Sequence, residues 1–396
     1  MTGGARQWWL WTTAGLIIIL GISPLVDYWL SNPDDQRLVD LDVYRTGGEM
    51  VLQGRAVYDF VTPAPQLLPF TYPPIAALLA TPLAAMSWTT AQWVWTAGIF
   101  VALAVTVAYA FRETLAGERK PYAPWVFALL MLACTYLMPI RDQVRFGQVD
   151  ILLVALCLAD CAARRPWWPR GFLIGLATAV KLTPGVFLIY LLVTRQWRTF
   201  WMASLVTALL TLLPFVVIPE DATAFWFHAL LDPERLGSNA ATTNQSVRGM
   251  LIRLYLPSDL LTTAIWVAVI AVIGWYGFRF AREAHERGDT IAAVALTGLM
   301  AVLLSPVAWI HHLAWVVVVL GALVGDARDA TRVKVAAGVW LYYVLPIPWW
   351  GVTLKAAEIP VLSPVLGKIV QNAYGLGAIA LVWILGTWLP KKRYSL

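Results

Sequence analysis

The chain has 396 residues, of which 60% are hydrophobic and only 13% are charged, about half the charge density of an ordinary soluble domain. Several apolar runs supply the roughly 20 residues that an α-helix needs to cross a bilayer, among them residues 8–30, 92–111 and 260–280. A secretory signal would be shorter and would precede a polar mature chain. The sequence therefore predicts a polytopic membrane protein and excludes a soluble enzyme or binding domain.

The net charge of +6 could indicate a partner such as nucleic acid, so the positions of the charges matter. In the topology given below, the segments on one side of the membrane contain 18 of the 29 basic residues and 8 of the 23 acidic residues. The other side contains the remaining 11 basic and 15 acidic residues. This asymmetry follows the positive-inside rule. We therefore expect no nucleic-acid partner, both termini in the cytoplasm and membrane lipids around the chain.

The apolar segments predict an all-α fold, with about ten full crossings and two broken hairpins, in a single domain over residues 1–396. Counted with half-helices, this is a bundle of about 10–13 helices. Two outer loops are longer than the others: residues 31–72, with a juxtamembrane helix at 43–52, and residues 219–258. The predicted crossings lie near residues 8–30, 88–111, 122–139, 151–163, 200–218, 260–280, 290–304, 312–325, 335–347 and 368–389.

Two proline-containing stretches are predicted to enter the membrane as half-helices and return on the same side. Residues 73–86 contain three prolines, and a full crossing there would place the basic loop 112–120 outside. Residues 171–194 begin and end at basic clusters, and their centre reads Lys181-Leu182-Thr183-Pro184. Such breaks are tolerated where protein or a cavity shelters the backbone. Lys181 is therefore expected at a buried hairpin tip.

The three cysteines, Cys134, Cys157 and Cys161, lie in apolar stretches. Cys157 and Cys161 are one helical turn apart, a spacing that a metal or redox pair could use, but no second ligand pair accompanies them. Small buried core residues are the favoured interpretation. We expect no disulfide, no metal and no other cofactor.

Polar residues collect on the predicted outer side, where the broken helices open to one face. This arrangement is expected of one water-filled site between helices. The clusters are Asp40 and Asp42 with Tyr44; Tyr72 with its prolines; Arg141, Asp142, Arg145, Gln148 and Asp150; Lys181; His311 and His312; and residues 244–249 with Asn244 and Arg248.

Several of these clusters also have a structural interpretation. Asp40 and Asp42 could be solvated loop acids, and their DxD spacing lacks the strand-ended context of soluble nucleotide-sugar enzymes. Lys181 at a half-depth tip is poorly placed to snorkel to water, which favours a function. His311 and His312 lack the acidic partner of an HExxH zinc site. The arginines of the third cluster could simply form ion pairs with its two acids.

The function classes narrow further from what the sequence lacks. Walker A and GxGxxG motifs are absent, which argues against an ATP-driven pump or a dinucleotide enzyme. A secondary transporter or lipid flippase is the alternative from another class, since it also uses broken helices and mid-membrane charge. Transporters generally show repeated halves and polar gates on both faces, whereas here no halves match and the polar residues collect on one face.

Five ordered motifs between about residues 38 and 320 resemble glycosyltransferase family 87, whose members are polyprenyl-phosphate-dependent enzymes of the GT-C membrane fold. The motifs are Asp-Leu-Asp-Val-Tyr (40–44) with Gly-Arg-Ala-Val-Tyr (54–58), Phe-Thr-Tyr-Pro-Pro (70–74), Phe-Gly-Gln-Val-Asp (146–150), Gly-Leu-Ala-Thr-Ala-Val-Lys-Leu-Thr-Pro (175–184) and Ser-Pro-Val-Ala-Trp-Ile-His-His (305–312). Residues 232–237 and 244–249 look most like the mycobacterial α-1,2-mannosyltransferases of the family. Val247 and Asp150 depart from the pattern, which has Trp and Asn at these positions.

The resemblance implies an inverting transfer of mannose from polyprenyl-phosphate-mannose to a lipid-linked mannoside, either a phosphatidylinositol mannoside or lipomannan. The product would carry an α-1,2 linkage and form on the periplasmic side of the plasma membrane. No metal is implied, because basic side chains can neutralise a departing monophosphate. Arabinofuranosyl transfer from polyprenyl-phosphate-arabinose is the alternative within the family, and polymerisation of a lipopolysaccharide or teichoic acid is less compatible with it.

The resemblance also implies roles for individual residues. Asp40 is expected to be the general base, with Asp42 in reserve, and His312 a proton relay or phosphate ligand. The donor phosphate is expected to contact a group of basic side chains, namely Lys181, Arg145, Arg248 and His311. Contacts to the sugar or acceptor are expected from three polar side chains, namely Tyr72, Gln148 and Asn244.

Overall fold

The computed structural model describes residues 3–33, 36–232, 235 and 237–393 of the chain. In this described part the regular secondary structure is α-helices, short 3₁₀ turns and one π-helical turn, and the extended pairings are two isolated β-bridges. The predicted all-α fold is confirmed. Of the motif at residues 232–237, Pro233, Glu234 and Leu236 lie outside the described residues.

The first third of the chain forms seven helices, two of them long and apolar. The second long helix begins at Ser87, whose hydroxyl accepts a hydrogen bond from the backbone N–H of Thr90. The helices are α1 (Gly3–Leu30), α2 (Val39–Leu52), α3 (Pro74–Ala84), α4 (Trp88–Ala110), α5 (Arg112–Leu115), α6 (Ala123–Thr135) and α7 (Met138–Phe146).

The middle of the chain alternates long and short helices. Two of them begin at serine caps, Ser246 and Ser258, each accepting a backbone N–H three residues later. The helices are α8 (Asp150–Ala162), α9 (Phe172–Val180), α10 (Val186–Val193), α11 (Trp197–Val217), α12 (Pro219–Phe227), α13 (Val247–Ile252) and α14 (Asp259–Glu286).

The last third contains the core helices and a C-terminal group. Asp289 and Asp329 cap the first and third helix of this part through their carboxylates. The helices are α15 (Thr290–Leu303), α16 (Val316–Val324), α17 (Ala330–Val344), α18 (Ile347–Ala356), α19 (Leu362–Gln371), α20 (Ala373–Trp383) and α21 (Leu389–Arg393), with a 3₁₀ turn at Ile310–Trp315 and a π-helical turn at Ile384–Trp388.

Five helical segments are long and apolar enough to cross a bilayer: α1, α4, α11, α14 and the continuous α20–α21 segment. Two bent pairs meet the same criterion if each counts as one span, α6–α7 with a bend of 75° and α17–α18 with a bend of 51°. The predicted multi-pass membrane fold is therefore confirmed. The number of full crossings stays a prediction, because several other apolar helices are shorter than a bilayer is thick.

The core of the protein is the pair α15 and α16, which are buried on every side. They pack against each other and against α4, α8, α14 and α17. A helix that is apolar all round is typical of such a fully enclosed position. α15 ends shortly before the 3₁₀ turn that contains the two histidines and α16 begins directly after it, so the core supports one wall of the site described below.

The structure contains the hairpin predicted at residues 171–194. α9 ends at Val180, Lys181 is extended, and a 3₁₀ turn at Thr183–Gly185 leads into α10. Arg170 before the hairpin and Gln196 after it line one cavity of about 50 Å³. Both ends therefore lie on the same face of the protein, and Lys181 lies at the opposite end, as predicted.

Two other local predictions differ from the structure. Residues 73–86 were expected to form two half-helices, but they form the single helix α3, since Pro82 lies in its last turn and Pro74 in its first. α3 lies against α2, where the backbone of Ala80 closely approaches Gly48. The helix expected at 122–139 instead ends at Thr135, and the polar segment after it forms α7, which begins with Met138 and a proline at its second position.

Candidate active site

One face of α2 supplies the first wall of the site. Asp40 and Tyr44 are four residues apart, so they lie on the same side of this helix. The Tyr44 hydroxyl lies 2.8 Å from the hydroxyl of Tyr72, which comes from the loop before α3. Both hydroxyls donate to the same acceptor, Oε1 of Gln148, at 3.3 and 3.2 Å. Three polar side chains from separate parts of the chain therefore converge beside Asp40.

Gln148 reaches this position because of the glycine that precedes it. Gly147 ends α7 in the left-handed region with φ of 75°, and a Cβ there would lie 2.9 Å from Cβ of Leu41. Glycine alone combines this conformation with so close an approach to α2. The Trp95 indole N–H donates to the Gly147 carbonyl at 2.7 Å and holds the turn in place.

Lys181 forms the centre of the second wall. Its Nζ lies 2.8 Å from Oδ1 of Asp150 and 3.1 Å from Nε2 of His312. It also lies 5.4 Å from the centre of the Tyr72 ring, which joins this wall to the first. Side-chain exposure is 12% for Lys181 and 9% for Asp150, so the ion pair is largely shielded from water. We call Asp150, Lys181, His311 and His312 the Lys181 cluster.

The two histidines are positioned by backbone contacts of their turn. The Gln143 amide donates to the carbonyl of His311 at 2.8 Å, and the two imidazoles meet edge to face with centroids 4.7 Å apart. His311 Nε2 lies 3.9 Å from Oδ2 of Asp150, too far for a hydrogen bond. The residues on this wall thus come from α7, α8, the hairpin and the turn before α16.

The Lys181 cluster contains three buried polar atoms that have no hydrogen-bond partner among the described residues. They are Oδ2 of Asp150, Nε2 of His311 and Nδ1 of His312. Buried polar atoms are nearly always paired in folded proteins, and leaving one unpaired costs about 1–3 kcal/mol. Three in one cluster indicate a site that binds a polar ligand.

Comparison with known proteins identifies the family of this site. The model of glycosyltransferase family 87 matches residues 70–306, more than half of the chain. This chain belongs to glycosyltransferase family 87. The match includes the loop of Tyr72, the turn of Gln148 and the hairpin of Lys181, so the predicted family and the predicted enzyme class are confirmed.

Curated relatives of this family 87 chain cover most of its length. A "Polyprenol-phosphate-mannose-dependent alpha-(1-2)-phosphatidylinositol mannoside mannosyltransferase" of Mycobacterium tuberculosis is 35% identical over 367 residues, 87% of this chain and 83% of the relative. A protein of the same description from Mycolicibacterium smegmatis is 32% identical over 385 residues, 90% and 85% of the two chains. A Corynebacterium glutamicum "Alpha-(1->3)-arabinofuranosyltransferase" is 26% identical over 257 residues, 61% and 56% of the two chains. No solved structure matches the chain significantly.

Asp40 has the environment of a general base in this family 87 site. Burial raises the pKa of its carboxyl to about 7, although the hydrogen bond with Gln148 and the charge of Lys181 act in the opposite direction. A base whose pKa is near the working pH combines a usable deprotonated fraction with a strong affinity for the proton. The predicted role of Asp40 is therefore compatible with its position.

Three members of the Lys181 cluster could also hold a metal ion. Ligand atoms of Asp150, His311 and His312 lie within 4.8 Å of one another. The Lys181 ammonium, however, is already within 3.1 Å of two of these residues. Its positive charge lies beside the position that a divalent cation would take, and like charges at such short separation repel strongly. The residues present therefore favour a protonated amine over a metal, and metal independence stays a prediction.

Three predicted site residues lie in other surroundings. Asp42 faces Arg45 on the far side of α2. Burial raises the pKa of Asp42, although the charge of Arg45 acts in the opposite direction. The Arg145 guanidinium is exposed and lies 5.1 Å from the Phe146 ring centre. The Arg248 guanidinium lies 5.8 Å from the ring centre of Trp266 on α14. Spacing in the sequence could not show that Asp42, two residues from Asp40, and Arg145, three residues from Gln148, point away from the Lys181 cluster.

Asn244, predicted to contact sugar, uses its amide for backbone contacts. Its Oδ1 accepts from the N–H groups of Ser246 and Ala308, and its Nδ2 donates to the carbonyl of Asn239. A Cβ on Gly249 would lie 2.7 Å from Cγ of Asn244, so this glycine makes room for the amide. Asn244 thus links its own loop to the segment just before the histidines and stabilises the shape of the site.

Two residues that complete the site were not predicted as members. Tyr44 was noted beside the two acids, and its spacing of four from Asp40 on a helix could have placed it in the site. Asp150 was noted as a departure from the family pattern, and an acid at the start of an apolar helix was a signal for a buried ion pair. Its partner, 31 residues away along the chain, could only be found in the folded structure.

Proposed function

We propose that this family 87 enzyme transfers mannose from polyprenyl-phosphate-mannose to a hydroxyl of a phosphatidylinositol mannoside or lipomannan. The transfer inverts the anomeric centre and forms an α-1,2 linkage. The mycobacterial relatives described above, with identities of 35% and 32%, support the donor and the glycolipid acceptor. The relative that transfers arabinofuranose covers less of the chain and is less similar, which favours mannose.

The observation that carries the proposal is an apolar cavity that adjoins the Lys181 cluster. It has a volume of about 190 Å³ and is lined by side chains of α3, α4, α8 and α9, with the rings of Tyr44 and Tyr72 at its polar end. Val180, the residue before Lys181, also lines it. A charged cluster beside an apolar cavity fits a lipid monophosphate, whose phosphate and hydrocarbon chain need opposite environments.

The Lys181 cluster can stabilise the leaving phosphate. An ammonium group has three N–H donors, of which Asp150 and His312 account for two, so a third can bind a phosphate oxygen. Because an ammonium can only donate, Nε2 of His312 must accept, and the ring proton then lies on Nδ1. That N–H is one of the unpaired buried atoms and can donate a second hydrogen bond to the phosphate.

The reaction then needs one proton acceptor. The acceptor hydroxyl oxygen attacks the anomeric carbon, the bond from that carbon to the phosphate oxygen breaks, and its electron pair leaves with the polyprenyl phosphate. Asp40 takes the hydroxyl proton as the new bond forms. Tyr44, Tyr72 and Gln148 surround the carboxylate and provide hydrogen bonds for sugar hydroxyls.

We propose further that the site opens to the periplasmic side and that both termini are cytoplasmic. The distribution of basic residues supports this orientation. Labelling of single cysteines at positions 165 and 198 with an impermeant reagent should fail from outside, whereas a cysteine at position 55 should be labelled. Labelling of only one of the first two positions would contradict the hairpin topology.

The function is tested by incubating the purified full chain with labelled polyprenyl-phosphate-mannose and a phosphatidylinositol mannoside. We expect a product whose new mannose is removed by an α-1,2-specific mannosidase, at a rate that EDTA leaves unchanged. Polyprenyl-phosphate-arabinose serves as the competing donor, and the Asp40→Asn variant is the control. Transfer of arabinose alone would identify arabinose, and not mannose, as the donor sugar. Movement of lipid between leaflets without any sugar transfer would favour the interpretation as a lipid transporter.

A further inference from the structure

α2 separates two cavities with different chemistry. Asp40 and Asp42 are two residues apart, which places them on opposite sides of a helix. The side of Asp40 faces the Lys181 cluster, and the side of Asp42 faces a second cavity of about 230 Å³. This second cavity is lined by the start of α2, by residues 62–66 and by Trp88 at the start of α4. The mechanism above does not use it.

The second cavity has a positive balance of charge. Arg37 and Arg45 line it together with a single acid, Asp42. The Arg45 Nη2 donates to the carbonyl of Met86 at 3.2 Å, and its Nη1 lies 3.8 Å from a carboxylate oxygen of Glu49. Its buried Nε has no hydrogen-bond partner among the residues that the structure describes. Arg45 is thus held in place while part of its donor fork stays available.

Arg37 joins this cavity to a smaller one at the membrane-facing edge. The smaller cavity, of about 50 Å³, is lined by Arg37 and Arg145 and by apolar and aromatic side chains at the outer ends of α1 and α4, including Trp29 and Trp93. Aromatic residues beside arginines are typical of the interface between lipid and water. We call Arg37, Arg45 and Arg145 the basic strip.

We propose that the basic strip binds the anionic phosphodiester of the glycolipid acceptor, with the acyl chains along Trp29 and Trp93. The proposal rests on the proposed function, because it names the part of the acceptor that the Asp40 side of α2 does not recognise. Guanidinium groups match phosphate oxygens in a bidentate geometry and are the preferred side chains for this ligand. Arg145, which lies away from Lys181, would then contact the acceptor phosphodiester.

The distance along the chain suits an acceptor of this kind. Arg37 and Asp40 are three residues apart, and three residues span at most about 10 Å even when fully extended. A phosphodiester at Arg37 would therefore lie within a few sugar units of the general base. The terminal mannose of an oligomannoside could reach Asp40 around the start of α2, while the lipid stays at the outer edge of α1 and α4.

The test compares two acceptors with the same purified enzyme and donor. One acceptor is a phosphatidylinositol mannoside, and the other is octyl α-mannoside, which is neutral. We expect the wild-type enzyme to prefer the phosphate-bearing acceptor in kcat/KM, and Arg37→Gln and Arg45→Gln each to reduce that preference roughly 10-fold or more, through KM. Arg37→Lys should restore part of it, because charge is retained and the planar fork is lost.

Arg279→Gln is the matched control, since Arg279 is an exposed arginine on α14 that pairs with Glu283. It should keep the full preference. An unchanged preference in both Arg37→Gln and Arg45→Gln would overturn the proposal, as would an equal loss in the control. If the wild-type enzyme transfers mannose to neither acceptor, the proposed function itself fails, so the two failures are distinguishable.

Discussion

The protein contains two buried polar networks that differ in how completely their hydrogen bonds are made. The network around Arg253 connects the loop at residues 237–246 to the C-terminal helices. The Arg253 guanidinium donates to Oδ1 of Asn372 and to the carbonyls of Ala241 and Asn244, at 2.7 to 2.8 Å. The Lys181 cluster, by contrast, leaves three buried atoms unpaired in the described structure.

This difference separates a structural network from a functional one. A buried polar network whose members are all satisfied fixes one arrangement of the chain. A network with unpaired members costs stability, and such a cost is retained where a ligand completes the hydrogen bonds. Polarity and burial alone would have ranked Arg253, which is 1% exposed, above Lys181 as a candidate for function. The unpaired atoms reverse that order.

The largest effect is expected from Asp40→Asn. Asparagine keeps the size of the side chain but cannot accept the proton, so the rate should fall by about two to four orders of magnitude. Donor binding and thermal stability should be retained, as measured by lipid binding and a melting curve in detergent. The rate of the Asp42→Asn variant should fall less, because Asp42 lies on the far side of α2. The reverse order would identify Asp42 as the base. Wild-type rates in both variants would show that neither acid of α2 is catalytic.

The next largest effect is expected from Lys181→Ala. Loss of a donor to the developing charge should cost about 2–4 kcal/mol of transition-state stabilisation, or roughly 30- to 1000-fold in rate. Lys181→Arg should recover only part, because the guanidinium differs in shape and reach. Lys368→Ala is the control, since that ammonium lies over Tyr255 outside the site. Turnover of Lys181→Ala at the wild-type rate would show that the cluster is only structural.

A third prediction concerns pH. Asp40 must be deprotonated to act as a base, and burial raises its pKa to about 7, so activity should be present above this pH and decline as the pH falls through it. Below pH 7, kcat/KM should fall roughly tenfold for each pH unit. The profile is measured from pH 5.5 to 8.5, with Asp42→Asn as the control that keeps the decline. A flat profile would argue against a carboxylate base with a raised pKa.

The smallest effect on turnover is expected from the structural network. Arg253→Met leaves three acceptors without their donor, each costing about 1–3 kcal/mol, so the melting temperature should fall clearly. At a temperature where the variant is folded, kcat should stay within about threefold of wild type, since the network does not touch the reacting groups. Loss of activity without loss of stability would show that Arg253 acts in function, and unpaired buried atoms would then not distinguish the two networks.

Local sequence signals were sufficient for some parts of the site and insufficient for others. The proline and lysine inside residues 171–194, with basic residues at both ends, predicted the hairpin and its buried tip. The same reasoning failed for residues 73–86, because prolines in the first and last turns of a short helix do not interrupt it. Asp40, Tyr72 and Gln148 were predicted together from ordered motifs, but nothing local showed that Arg145 and Arg248 stack on aromatic rings elsewhere.

By itself, the sequence determined the membrane environment, the helical class and the family. These properties depend on composition, on the length of apolar runs and on ordered motifs, all of which can be counted along the chain. Only the tertiary structure decided which ionisable groups meet. Asp150 and Lys181 are 31 residues apart, and Lys181 and His312 are 131 apart, so their contacts depend on the packing of α8, the hairpin and the core helices. The charge of a buried group and its partners are set by that packing, because inside the protein water no longer screens or satisfies them.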